Sequence, residues 1–430
     1  MLRSLVVLTT AVSAVLLAPA RVAAQNQDMP LSELLPRLYA DAIVGEYNAF
    51  VTVLPAVGIP VDADALFDQA IERYGIASQI IYLAGNQLSS FPLGSPSGGF
   101  TWNLDTSLGT STRASNSFGP IFAERPLTIG RKKLNVGANY QHVSFDHLNG
   151  RSLRNGEIVG YFGPQFGSFG IFFADSLDVR VTTDTFNAFA TYGVTDRLDV
   201  GVAVPINRVS IDATLTSRIG DTIDGVDPSF APFVTSASGS ASGIGDVVVR
   251  AKYNMVNRGA VGIAEWVDVR LPTGDERNLL GVGGPQFKLG FIASSAAGRL
   301  SPHVNLAYTI SGASGAADDL ASVVLAPPEE ISYAGGADLA LTLRTTVAFD
   351  AVGRILRRVG TLDWAPSAFG ANFPQFELNR GQDLHLLLGS LGVRVNPFGN
   401  MLLTANLLFP MTESGLTDSL TWTAGVDYSF

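Results

Sequence analysis

Apolar and polar residues alternate along most of this chain. Near its end, one parity is apolar and the other is small or polar, and the apolar set comprises Leu420, Trp422, Ala424, Val426, Tyr428 and Phe430. Val304, Leu306, Tyr308 and Ile310 repeat the pattern against His303, Asn305 and Thr309. A period of two puts successive side chains on opposite faces of a β-strand. The pattern therefore predicts many strands between residues 99 and 430, each with one apolar and one polar face.

The connections between these strands alternate in length. Tight ones such as 195–197 and 397–399 separate long ones such as 147–176, 217–243 and 357–382. Short turns at one end and long loops at the other are typical of outer-membrane barrels. We count about 14 strands, the first two at 99–106 and 117–130, and 12 if that pair lies outside the sheet. The apolar parity switches within 198–216, which indicates either a β-bulge or a strand that has left the membrane.

The composition favours a membrane protein without spanning helices. Mean hydropathy is +0.25 and charged residues make up 15%, yet after the N-terminus no uncharged apolar stretch reaches helical spanning length. Only helices and closed barrels satisfy their backbone groups in lipid. The predicted fold class is therefore an all-β transmembrane antiparallel β-barrel occupying residues 99–430.

The N-terminal residues differ in kind from the barrel. A basic start at Arg3, an apolar run and Ala24 before Gln25 resemble a signal peptide at 1–24, too short for a membrane anchor. Residues 25–98 have helical spacing, with a predicted helix start at Asp62 or Asp64. We expect this segment to plug the barrel lumen, and a periplasmic subdomain is the alternative.

Charge limits the possible partners and chemistry. The formal net charge is −10 and cysteine is absent, so we expect no nucleic-acid partner and no thiol chemistry. Charged residues of lumen parity could set solute preference, hold a plug or pair for stability, and they are Arg250, Lys252, Asp268, Arg270, Asp350, Arg354 and Arg394.

Aromatic residues are concentrated in two of the long loops. Exposed aromatics are costly unless they pack or bind a ligand. We take them as a candidate ligand site for a hydrophobic solute, and packing against each other or a membrane-surface girdle is the alternative. The residues are Tyr161, Phe162, Phe166, Phe169, Phe172 and Phe173 in 147–176, and Trp364, Phe369, Phe373 and Phe376 in 357–382.

An enzymatic reading has little support. His142, Ser144 and Asp146 share a strand parity beside His147, but no nucleophile elbow or metal-ligand spacing accompanies them. Asp221, Asp224 and Asp227 could hold divalent ions, although a solvated acidic rim explains them as well. We predict no catalytic residues, no cofactor and no metal.

Several longer stretches resemble one known family. They are residues 89–105 (SSFPLGSPSGGFTWNLD), 117–146, GIGDVVVRAKYN, VDVRLPTGDERNLLGVGG and HVNLAYTISG. Together they resemble the putative phenol-degradation (MetA-pathway) family of outer-membrane transporters, which is distantly similar to long-chain fatty-acid transporters. The latter have fourteen strands and an N-terminal hatch inside the barrel. The chain end likewise resembles the assembly signal of outer-membrane barrels, with Trp422, Val426, Tyr428 and Phe430 in its positions.

The resemblance implies a channel for passive uptake of small hydrophobic or aromatic compounds across the bacterial outer membrane. A general porin and a structural or adhesive barrel are the alternatives. The expected partners are outer-membrane lipid and lipopolysaccharide, the barrel-assembly machinery and a small hydrophobic solute.

Overall fold

The computed structural model describes residues 29–56, 58, 60–89, 99–105, 110–113, 115–166, 169–227, 231–258, 261–296, 298–312 and 327–430. The predicted signal peptide lies outside these ranges. Two helices, α1 (Leu31–Ala56) and α2 (Ala63–Ser89), precede the strands, and a 3₁₀ helix occupies Glu276–Asn278. The strands are β1 (Trp102–Asp105), β2 (Thr110–Arg113), β3 (Leu134–Phe145), β4 (His147–Leu148), β5 (Arg151–Ser152), β6 (Ile158–Phe162), β7 (Gln165–Phe166), β8 (Phe169–Gly193), β9 (Leu198–Asp221), β10 (Gly225–Val226), β11 (Phe233–Ile244), β12 (Val247–Arg258), β13 (Val261–Leu271), β14 (Gln286–Ser295), β15 (Leu300–Ser311), β16 (Glu330–Thr342), β17 (Thr345–Leu356), β18 (Thr361–Ser367), β19 (Gly370–Asn379), β20 (Leu384–Val395), β21 (Met401–Pro410), β22 (Leu416–Thr417) and β23 (Thr421–Ser429).

Twelve strands close into one antiparallel barrel. Their hydrogen-bonded order is β9, β12, β13, β14, β15, β16, β17, β20, β21, β23, β3 and β8, and β8 pairs with β9 to complete the circle. The predicted barrel fold is confirmed, with twelve strands rather than fourteen. We call the end that carries the connections 194–197, 343–344 and 396–400 the short-turn end, and the opposite end the long-loop end.

The first two candidate strands, 99–106 and 117–130, do not join the barrel sheet. Residues 102–105 pair only with 110–113. Pro120 and Pro126 lack the N–H group that a central strand needs. Instead, side chains of the barrel interior bond the backbone of 117–130, as described below.

The barrel wall separates an apolar exterior from a polar lumen. On β15, Val304 and Leu306 are 56% and 57% exposed, whereas His303 and Asn305 are 6% and 5% exposed. Leu134 and Asn135 on β3 show the same contrast. An apolar exterior on a closed barrel matches the hydrocarbon of a bilayer. The chain is therefore a bacterial outer-membrane β-barrel, as predicted.

Strands β8 and β9 extend far beyond the membrane. They have 25 and 24 residues, whereas a spanning strand needs about 9–11. Their pairing is continuous from Ile171 to Gly193, so no bulge causes the parity switch near Pro205. Odd residues of β9 face inward throughout, and those beyond the membrane, such as Val209 and Ile211, are apolar. The strand leaves the membrane, and the polarity of its two faces inverts there.

The predicted long loops contain regular β-strands. The segment 217–243 includes the end of β9, all of β10 and nearly all of β11. β11 pairs with β9 over 206–217, while β12 pairs with β9 over 198–203. A break at Gly245, whose N–H donates to the Pro205 carbonyl at 2.8 Å, separates β11 from β12. In the same way 147–176 includes β4–β7 and the start of β8, and 357–382 includes the β18–β19 hairpin.

The two helices pack at the long-loop end. Asp62 caps α2 by accepting a hydrogen bond from Ala65 N at 3.1 Å, and Asn278 accepts one from Leu31 N at 3.3 Å at the start of α1. Leu35 of α1 and Ile80 of α2 share one apolar core with the inward residues of β8 and β9 beyond the membrane. Neither described helix is long and apolar enough to span a bilayer.

Candidate functional site

Residues 115–130 form an arch inside the barrel, which we call the lumen arch. The arch begins near the short-turn end, where Phe118 N donates to Thr346 Oγ1 at 3.0 Å. At its apex, Glu124 lies 2.5 Å from the Arg250 guanidinium, toward the long-loop end of β12. It returns to the short-turn end, where Ile129 N donates to Asp199 Oδ2 at 3.0 Å. The arch therefore enters and leaves the lumen through the same end.

Asp350 holds the rising limb of the lumen arch. One oxygen of this buried carboxylate accepts hydrogen bonds from Ile121 N and Phe122 N, both at 3.3 Å. The other oxygen lies 2.6 Å from His303 Nε2. Arg394 adds a bond to the Phe118 carbonyl at 2.8 Å. These contacts replace the strand partners that this extended backbone would otherwise need.

Lys252 holds the descending limb. Its ammonium donates to the carbonyls of Arg125 at 3.3 Å and Leu127 at 2.9 Å. Asn254 Nδ2 donates to the Pro126 carbonyl at 2.8 Å. Since proline blocks strand pairing here, side chains from β12 supply the polar contacts along this limb.

A cavity of about 190 Å³ lies above the arch apex. Ion pairs cross its wall: Arg250 Nε is 2.5 Å from Asp268, Arg354 Nη2 is 2.5 Å from Glu330, and Lys288 is 3.4 Å from Glu330. Trp266 and Phe122 add aromatic surface. The site thus combines fixed charges with rings.

All seven predicted lumen charges lie inside the barrel, in two groups. Those that hold the arch are Lys252, Asp350 and Arg394, and those that line the cavity are Arg250, Asp268, Arg270 and Arg354. Sequence reasoning missed Lys288 and Glu330, although their strand parity marks them as inward. It also missed Glu124, because Pro120 and Pro126 argue against a central strand without showing where the segment lies.

Aromatic residues from the two predicted loops meet beyond the membrane. The Tyr161 and Phe172 rings are 5.1 Å apart, and Phe369 and Phe373 lie 5.1 and 5.0 Å from Phe172. Burial raises the pKa of Tyr161, so its phenol stays neutral near pH 7. These four residues form what we call the aromatic cluster.

The other predicted aromatics pack elsewhere at the long-loop end. Phe162 and Phe173 turn inward onto Phe50 of α1, at 6.1 and 5.1 Å between ring centroids. Phe166 stacks on Phe169 at 6.5 Å, and Trp364 packs edge-on against Phe376 at 5.2 Å. The two loops thus contribute to several aromatic contacts rather than one pocket.

A buried charge cluster joins the helices to the barrel wall, and sequence reasoning missed it. Arg73 of α2 bonds Glu46 of α1 at 2.9 Å and pairs with Asp175 of β8. Glu46 also accepts a hydrogen bond from Ser217 of β9 at 2.9 Å. Desolvation raises the pKa of the neighbouring Tyr39 to about 12. Each of these buried charges has a partner, Arg73 serving both carboxylates, and removing one partner would leave an uncompensated charge in an apolar core.

The C-terminal residues close the barrel. Phe430 N donates to the Leu134 carbonyl at 2.8 Å, and the Tyr428 and Phe430 rings are 4.8 Å apart. Trp422, Val426 and Tyr428 are exposed on the outer face of β23. The predicted signal residues are thus on the surface that lipid contacts.

The histidine-rich stretch shows no catalytic arrangement among the described residues. His142 Nδ1 lies 2.8 Å from Asp184, and His147 Nδ1 lies 2.8 Å from Asp146. The Ser144 hydroxyl instead accepts a hydrogen bond from Arg154 at 2.6 Å. Within the described ranges, no group of three metal-ligating side chains is brought together.

Residues 174–353, from β8 to β17, match the model of a family described as "Putative MetA-pathway of phenol degradation". The predicted resemblance is confirmed for this region. Residues outside 174–353, including the arch and the helices, are not part of the match. None of the curated protein sequences matches the chain.

Three solved structures show distant similarity to this chain. An outer-membrane channel from Pseudomonas putida F1 is 13% identical with a TM-score of 0.44, over 72% of this chain and 99% of that one. The Ralstonia pickettii toluene transporter TbuX is 12% identical (TM-score 0.32; 71% and 92% covered), and the monoaromatic hydrocarbon channel CymD is 9% identical (0.34; 71% and 91%). All three are described as channels or transporters.

Proposed function

We propose that this protein is a passive outer-membrane channel for small hydrophobic or aromatic compounds. The observation that carries the proposal is the apolar core beyond the membrane, where the helix pair covers the inward faces of β8 and β9 next to a polar lumen. A water-filled porin has no use for an apolar inner surface at its mouth. A hydrophobic solute, by contrast, gains free energy on leaving water for such a surface, at about 25 cal/mol per Å² buried.

The aromatic cluster supports this route. Tyr161, Phe172, Phe369 and Phe373 bring two loops together on the outer face of β8, opposite the inward Phe173, where a solute reaches the protein from outside. Rings packed edge to face can part and re-form around another ring at small cost. In this account the solute binds first at the aromatic cluster and then in the cavity above the arch.

In the absence of solute, the lumen arch and the helix pair block the route through the barrel. Side-chain hydrogen bonds and ion pairs hold the arch, while an apolar core and the buried charge cluster hold the helices. Neither segment is part of the barrel sheet. Displacing either one would therefore leave the barrel wall intact. In this account the chain catalyses no reaction and uses no cofactor. Lipopolysaccharide surrounds the part of the wall that extends beyond the membrane, and the barrel-assembly machinery recognises the C-terminal strand.

Whole cells with intact lipopolysaccharide provide the test. The probe is N-phenyl-1-naphthylamine, a neutral aromatic amine that fluoresces on reaching the inner parts of the envelope. Cells expressing the protein should take it up faster than cells with an empty vector. Phe369→Ala with Phe373→Ala should slow uptake several-fold, whereas Phe398→Ala, an exposed ring at a short turn, should not.

The alternatives predict different outcomes. A structural or adhesive barrel would give uptake equal to the empty vector. A general porin would admit small sugars into proteoliposomes at a high rate and would not respond to loss of the aromatic cluster. Either result overturns the proposal.

A further inference from the structure

The arch apex places a carboxylate on the lumen's cationic wall. Glu124 Oε1 is 2.5 Å from Arg250 Nη1, and its other oxygen is 3.8 Å from Lys252 Nζ. Arg250 uses its remaining edge for Asp268, with Nε and Nη2 at 2.5 and 2.6 Å. Arg250 therefore has two carboxylate partners, one fixed in the wall and one carried by a displaceable segment.

The balance of positive and negative charge in the cavity depends on the Glu124 carboxylate. Four basic side chains line it, Arg250, Arg270, Lys288 and Arg354, and the barrel wall balances them with Asp268 and Glu330 in the lining and with Asp246 near Arg270. Glu124 supplies the remaining carboxylate, and it belongs to the arch. When the arch moves, the cavity keeps its cations and loses an anion, which favours entry of another anion.

The same cavity offers an apolar surface of suitable size. Phe122, Val248, Trp266 and Val352 line it, and the Arg250 guanidinium carbon lies 5.9 Å from the Trp266 ring centroid. An apolar cavity of about 150 Å³ accommodates a benzene molecule. A cavity of about 190 Å³ can therefore hold a benzene ring with one small substituent.

We propose that the channel takes aromatic carboxylates faster than neutral aromatics, because the solute's carboxylate replaces Glu124 on Arg250 and so releases the arch, whereas a neutral aromatic passes only when the arch opens unaided. One carboxylate leaves Arg250 as another arrives, and the ring packs beside Trp266. The exchange conserves the charge at the site, so the buried Arg250 guanidinium keeps a carboxylate partner throughout. This inference rests on the proposed channel function and names its solute class.

The test records single channels of the full protein in planar bilayers with three probes: benzoate, benzyl alcohol and acetate. Benzoate should raise the open probability at least tenfold. Benzyl alcohol has the ring without the charge, and acetate has the charge without the ring, so each should be at least tenfold less effective. Equal responses to benzoate and benzyl alcohol would overturn the inference.

Glu124→Gln tests the exchange itself. This variant should open at least tenfold more often without solute, and benzoate should then add little. Glu265→Gln is the matched control, because it removes the same charge from the outer face of β13 and should behave as wild type. A Glu124→Gln channel as closed and as benzoate-responsive as wild type would contradict the exchange.

A second variant and a binding measurement cover the case in which Glu124→Gln folds poorly. Glu124→Asp keeps the charge but shortens the reach to Arg250, so it should open at a level between wild type and Glu124→Gln. By calorimetry in detergent, benzoate should bind Glu124→Asp more tightly than wild type, and unchanged affinity would contradict the inference. If N-phenyl-1-naphthylamine uptake succeeds while benzoate has no effect, only the inference fails. If both fail, the proposed function fails.

Discussion

Replacing Arg73 by methionine should undock the helix pair from the barrel wall. Methionine keeps the length of the side chain but removes its charge. The two carboxylates that Arg73 contacts, Glu46 and Asp175, would then remain buried with Ser217 as the described neutral donor. Removing one partner of a buried ion pair costs about 3–5 kcal/mol, because the other charge is left uncompensated. The docking equilibrium should therefore shift by roughly two to four orders of magnitude.

Hydrogen exchange read by mass spectrometry measures this shift directly. Amides of α2 should exchange about a hundredfold faster or more in Arg73→Met, as expected for a local opening of this size. Amides of β15, none of whose residues belongs to the apolar core under the helices, should not change. Arg37→Met is the matched control, since Arg37 is 68% exposed and its pair with Asp41 at 3.4 Å contributes about 0.5 kcal/mol or less.

The reasoning also predicts a rescue. Combining Arg73→Met with Glu46→Gln and Asp175→Asn removes every charge of the cluster, and neutral replacement of a buried ionic set is often tolerated. The triple variant should recover most of the α2 protection. Wild-type protection in Arg73→Met, or a triple variant no better protected than the single one, would refute the account of the cluster.

Three further outcomes are expected. Phe430→Ser should lower the amount of barrel in the outer membrane several-fold while leaving refolding in detergent unchanged, and equal amounts would show that Phe430 is no assembly signal. Burial alone would raise the pKa of the Asp146 carboxyl, but hydrogen bonds from Ser419 and His147 outweigh it and hold the pKa below its ordinary value of 3.8. The stabilisation from Asp146 is thus present at neutral pH and lost as pH falls below that value, so exchange near Ser419 should rise in acid for wild type and not for Asp146→Asn. Deleting residues 25–88 should raise ion conductance if the helices close the mouth, and unchanged conductance would favour the periplasmic alternative.

Strand parity was enough to predict the barrel and the faces of its strands. A strand that crosses lipid must show one face to hydrocarbon and one to the lumen, so local sequence carries the information. This is why Arg250 and Asp350 could be assigned to the lumen before any contact was known. The parity switch near Pro205 was ambiguous, because a bulge and an exit from the membrane give the same pattern along one strand.

The arch and the charge cluster depend on contacts between distant residues. Pro120 and Pro126 argue against a central strand in 117–130, but only contacts with side chains of β9, β12, β17 and β20 show that the segment is an arch. Arg73 and Asp175 are far apart in sequence, so no local pattern joins them. The two aromatic loops could be recognised from the sequence. The pairs of rings that make contact could not, because they depend on how β6, β8 and the β18–β19 hairpin pack together.

The central claim is a channel that its own arch holds closed. Single-channel recording of wild type beside Lys252→Met tests it most directly, since Lys252 binds two arch carbonyls from the barrel wall. Bonds from a charged donor contribute about 1.5–3 kcal/mol each, so the variant should open at least tenfold more often than wild type, which should be mostly closed. Lys132→Met, in an exposed short turn, should match wild type. A large, steady conductance that is the same in all three proteins would contradict the account.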